Sequence, residues 1–83
     1  MPLYERAYLA DILKSCEAIK SAILGLDLHS FQGTRLIRSA VEREFIMIGK
    51  AMAALGRVAP SIFAAIPQAR RVVDFRNFID PRL

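Results

Sequence analysis

Eighty-three residues make one small domain, and no apolar run approaches the roughly 18–20 uncharged residues needed to cross a bilayer. Hydrophobic residues make up 54% of the chain and its net charge is +4, which excludes a polar disordered chain and predicts more apolar surface than so small a domain covers alone. One histidine and one cysteine exclude a zinc cluster and an internal disulfide, and no signal-like segment follows Met1–Arg6, so the chain reads as cytoplasmic with no cofactor or metal required.

The first element is an amphipathic helix over about residues 3–24. Leu9, Ile12, Leu13, Cys16, Ile19, Ile23 and Leu24 recur at helical spacing, and Gly25 stands where a left-handed residue ends a helix. Residues 26–34, with Asp27, His29, Ser30 and Gly33 around Phe31, read as a turn. Thr34 is the expected N-cap of a second helix over about 35–55. Its stripe is Ile37, Ala40, Val41, Phe45, Ile48, Met52 and Leu55, and Gly56 is expected to end it. Two helices of matched length joined by about ten residues predict an antiparallel pair.

Gly49 lies inside the second helix, where it costs about 1 kcal/mol relative to alanine. Close approach of a neighbouring backbone is the expected compensation. Pro60 and Pro67 bracket Ser61–Ile66, an apolar turn or short helix. A last helix is expected over about 68–79, with Val72, Phe75 and Ile79 inward, and it should stop before Asp80-Pro81. The fold class is therefore all-α, an antiparallel up-and-down helical bundle that dimerises through its surplus apolar surface.

Charge is distributed unevenly. Residues 1–56 carry a net of +1, whereas Arg57, Arg70, Arg71, Arg76 and Arg82 against Asp74 and Asp80 give residues 57–83 a net of +3. Clustered guanidinium groups suit phosphate or carboxylate partners, since each donates paired hydrogen bonds. A solvated helix face is the plainer alternative. His29 reads as a surface loop residue and Cys16 as a small core residue, its thiol disfavoured as a nucleophile by burial.

Four segments carry more information in their order than singly. They are Asp11-Ile12-Leu13, the Phe31 loop, the run Ala40–Ala51 with its internal Gly49, and Ile66-Pro67 followed by Val72-Val73-Asp74-Phe75-Arg76-Asn77-Phe78-Ile79. In this order the chain resembles the HepT-like branch of the HEPN (higher eukaryotes and prokaryotes nucleotide-binding) domains, the toxin component of HEPN/MNT toxin–antitoxin pairs. The resemblance implies a dimeric helical bundle and a metal-independent endoribonuclease whose motif is an arginine followed after four to six residues by a histidine. Arg76 matches the motif arginine and Asn77 the polar residue after it. In the HepT pattern Arg-Asn-x-x-x-His-x-Tyr, the histidine position is Pro81 and the tyrosine position, where a partner nucleotidyltransferase attaches AMP, is Leu83. Ile46 and Lys50 stand where the family often has glutamates, and Gln68-Ala69 where it often has tryptophan.

Cleavage of RNA without metal needs a group that exchanges protons near neutral pH, which histidine does and arginine does not. The expectation is therefore a catalytically impaired homologue that retains dimerisation and binds RNA or an MNT-type nucleotidyltransferase antitoxin. Arg70, Arg71, Arg76 and Arg82 are its expected phosphate contacts. Asp80 or the terminal carboxylate as a substitute base is a second reading, and a helical dimerisation or adaptor module unrelated to RNA is a third. The break in the pattern at Asp80 is also what a frameshift or early stop near the last codons would leave.

Overall fold

The computed structural model describes residues 2–80. They form five helices and no strand: α1 (Leu3–Ile23), α2 (Leu28–Gly33), α3 (Arg35–Val58), α4 (Pro60–Ala65) and α5 (Ala69–Ile79). The all-α class expected from periodicity is observed, and no described helix is long and apolar enough to cross a membrane.

α1 ends as its sequence predicts. Gly25 adopts φ 79°, and nothing lies within 4 Å of the place a Cβ would take, so conformation and not crowding selects glycine there. The inward face of α1 differs from the expected stripe. Tyr8, Leu9 and Ile12 pack against the core and Ser15 is buried, whereas Leu13 is 65% and Leu24 84% exposed. The reason is that α3 is the one helix against which α1 packs extensively. A single neighbour covers only a narrow strip of a helix.

The segment expected as a turn contains α2. The Asp27 carboxylate accepts a hydrogen bond from the Ser30 amide at 2.7 Å, capping the helix. That bond holds the Asp27 carboxyl below the ordinary aspartate range. Thr34 precedes α3 but does not cap it with its side chain. Its hydroxyl instead donates to the Ser30 carbonyl at 2.9 Å, closing α2.

α3 runs past Gly56 to Val58. Glycine weakens a helix without forcing its end. The stop comes from Pro60, which pushes the preceding Ala59 to φ −145° and ψ 69°. Gly56 serves contact instead: a Cβ there would lie 3.1 Å from the Phe63 ring of α4. After α4 the chain reverses through Ile66-Pro67-Gln68-Ala69, closed by the Ala69 amide on the Ile66 carbonyl at 3.3 Å. Proline in the second place and φ 64° at Gln68 in the third are the geometry of a type II turn.

The core consists of Met52, Leu55, Ala59, Ala69 and Val73, with Leu55 fully buried. α3 is its spine, because α1, α2, α4 and α5 all pack on it. Tyr8 and Leu9 lie with Met52 and Leu55 in this core, whereas Ile19 shares a cavity with Val41 and Phe45. Residue numbers therefore rise along α1 as they fall along α3, so the two run antiparallel. α5 also opposes α3, with Phe75 against Phe45 and Val73 in the core with Met52 and Leu55.

Candidate functional site

The inward face of α5 is set by Ala69, Val73 and Arg76, at i, i+4 and i+7, flanked by half-buried Val72 and Ile79, and the buried Asp80 follows as the C-cap. Phe75, expected inward, is 44% exposed and meets Phe45 edge-on with ring centroids 5.4 Å apart. An arginine thus occupies a place that periodicity assigns to an apolar side chain.

Gly49 is what admits it. Among the neighbours of a Cβ built at Gly49, the Arg76 Cβ and Cγ would overlap it and the Arg76 Cα would lie 3.6 Å away. The aliphatic stem of Arg76 therefore lies directly on the α3 backbone. The close approach expected at Gly49 is real, and the approaching group is the base of one side chain. Beyond that stem, the Nε atom of Arg76 is buried and has no hydrogen-bond partner among the described residues. A buried donor without an acceptor costs on the order of 1–3 kcal/mol, so this guanidinium is positioned at the expense of stability.

The remaining candidate residues do not converge on Arg76. Arg70, Asp74 and Asn77 are exposed at i, i+4 and i+7 and form an outward strip, with Arg71 exposed beside it. Asn77 follows Arg76 in sequence but lies about 100° around the helix from it. The guanidinium of Arg70 lies 5.6 Å from the centroid of the Phe63 ring. Asp80 is 2% exposed, and its amide donates to the Arg76 carbonyl at 3.0 Å. Such burial removes its carboxylate from a solvent-facing position for a general base. Pro81, Arg82 and Leu83 lie outside the described residues.

Away from α5, a groove of about 440 Å³ opens between α1 and α3. Its lining mixes Lys14, Arg43 and Lys50 with Asp11 and Glu44, over the buried Ser15. His29 is exposed in the first turn of α2, and Cys16 is half-buried and free. Among the described residues, no three His, Cys, Asp or Glu side chains gather as metal ligands.

The contribution of Gly56 and Phe63 to seating Arg70, and the presence of Arg57 beside them in one cavity, are not apparent from sequence spacing. Twelve residues separate Arg57 from Arg70, and only the reversal at α4 brings them together. No family model, curated protein or solved structure matches the chain.

Proposed function

We propose that this chain is a HepT-like HEPN homologue that has lost ribonuclease chemistry and keeps an anion-binding arginine, Arg76, for RNA or for an MNT-type nucleotidyltransferase antitoxin. The observation that carries the reading is the inward setting of Arg76 on Gly49 with a buried, unpartnered Nε. The Nε is closed to solvent, so an acceptor from outside the chain would meet the half-buried guanidinium of which it is part. Among the described residues proton transfer has no corresponding solvent-facing group beside Arg76, because the sole histidine is in α2 and Asp80 is buried. Arg70 and Arg71 add charge to the outer surface of the same helix and favour a polyanion in the encounter.

The working unit in this reading is a homodimer of up-and-down helical bundles. Its support is the radius of gyration, 13.8 Å, against about 12 Å for a compact domain of this length. Phe78, Leu36 and Leu24 are each more than 80% exposed, and a second copy would cover part of that surface.

The test is a metal-free RNA assay with purified protein, measuring binding and cleavage together. Binding without cleavage, weakened at least about tenfold by Arg76→Gln, is the expected result. Cleavage that disappears in Arg76→Gln would show the chemistry to be intact. Binding unaffected by Arg76→Gln would remove Arg76 from the site, and absence of RNA binding altogether would favour the adaptor reading, in which dimerisation alone is the function.

A further inference from the structure

Two glycines seven residues apart on α3 each receive a side chain from the elements that follow. Gly49 takes the stem of Arg76, and Gly56 takes the ring of Phe63, whose nearest atom would lie 3.1 Å from a Cβ at that position. Phe63 in turn carries the guanidinium of Arg70 at 5.6 Å. Gly56, Phe63 and Arg70 therefore form a stack, from the α3 backbone to the surface, that fixes one arginine.

This stack borders a cavity of about 400 Å³ between α3, α4 and α5, and Arg57 lines the same cavity. A neighbouring hollow of about 410 Å³ is lined by Arg70 and Arg71. Among the described residues no acidic side chain lines either one, and no ion pair is formed by Arg57, Arg70 or Arg71. Asp74 follows Arg70 by one turn on the same exposed strip, but it lines neither hollow. Arg70 and Arg71 stand in the first turn of α5, which has no acidic residue, although the dipole at that end of a helix disfavours cations.

We propose that the cavity between α3, α4 and α5 is a phosphate-binding site in which Arg57 and Arg70 hold one phosphate group between their guanidinium forks. Two arginines lining one cavity without an acidic residue among its described lining match a phosphate in charge, and a guanidinium matches its oxygens in geometry. The Phe63 ring favours one orientation of Arg70 through an exposed cation–π contact. Arg76 does not line this cavity, although Val73 of the same inward face does, and the proposal does not depend on the ribonuclease-family reading. The phosphate belongs either to a small phosphorylated molecule or to a nucleic-acid backbone.

The experiment follows the arginine Nε–Hε signals of the ¹⁵N-labelled full chain by NMR. It has two arms, pyrophosphate and a short single-stranded oligoribonucleotide, each against sodium chloride at matched ionic strength. Saturable shifts of Arg57 and Arg70, with exposed Arg38 unmoved, are expected in at least one arm, and the responding arm identifies the source. Arg57→Gln or Arg70→Gln should weaken that binding by about tenfold or more, and Arg70→Lys should not restore it. Arg76→Gln should leave the pyrophosphate response intact. Shifts that are linear, shared by all exposed arginines, or unchanged in both glutamine variants overturn the proposal. Loss of RNA binding in Arg76→Gln, with no saturable Arg57 or Arg70 response in either arm, would leave the family reading standing while this site falls. A saturable pyrophosphate response with RNA binding indifferent to Arg76→Gln would do the opposite.

Discussion

The Cβ and Cγ of Arg76 occupy the space that a side chain at Gly49 would need. Helix propensity and packing therefore oppose each other at residue 49. Alanine would gain up to about 1 kcal/mol in the helix, but the obstructing atoms are the base of a side chain and cannot swing aside. Overpacking of this kind costs about 1–3 kcal/mol. Gly49→Ala should be net destabilising by denaturant unfolding, whereas Gly33→Ala, with open space around it, should be neutral or stabilising. Arg76→Gly should partly rescue Gly49→Ala, and Arg76→Ala, which keeps the clashing Cβ, should rescue it less. Equal rescue by both would place the conflict elsewhere.

Much of this relationship is legible in sequence, though not its direction. A glycine inside an apolar helix signals close approach, and the family resemblance singles out Arg76. Periodicity alone assigns Phe75 and not Arg76 to the interior, because hydrophobicity decides such assignments when the partner surface is unknown. The notch at Gly49 reverses that choice and turns Phe75 onto the edge of Phe45. α2 is hidden for a different reason. Asp27 and Ser30 carry both turn and capping character, and six residues are too few for periodicity to separate the two. The long helices are readable because their patterns extend over several turns, and only α3 exceeds its expected end, where Pro60 outweighs Gly56.

Exposure of large apolar side chains predicts self-association. Phe78 is 85% exposed on α5, and Phe75 beside it is 44% exposed. Sedimentation equilibrium should show a dimer at micromolar concentration, and Phe78→Asp should weaken it by about thirtyfold, the effect of an interface residue contributing roughly 2 kcal/mol. A wild-type chain that stays monomeric, or a dimer indifferent to Phe78→Asp, would rule out α5 as the contact.

Acid should loosen α2 through Asp27. Its folded carboxyl titrates below the ordinary aspartate range, because the Ser30 amide donates to the charged form. The unfolded chain thus takes up its proton first as pH falls. Stability from this cap is complete above the ordinary aspartate range and is lost as pH drops through the lower folded value. NMR titration should show Asp27 as the aspartate whose protonation coincides with loss of amide protection in α2. Asp27→Asn, an adequate cap that does not titrate, should remove that coupling. Protection that falls identically in the variant would assign the transition to another group.

Arg76 itself offers the sharpest separation of stability from function. Methionine matches its aliphatic stem, can lie over Gly49 in the same way and has no Nε to leave unpartnered. If the buried donor is maintained for a ligand, Arg76→Met should stabilise the free protein. A gain of about 1 kcal/mol is expected, toward the low end for an unsatisfied donor because Arg76 is only half-buried. In a domain of this size that corresponds to roughly 4–8 °C in Tm. The same variant should lose anion binding by at least about tenfold. A lower Tm would instead mean that the guanidinium stabilises the free fold, and the opposition between stability and ligand binding at this position would be gone.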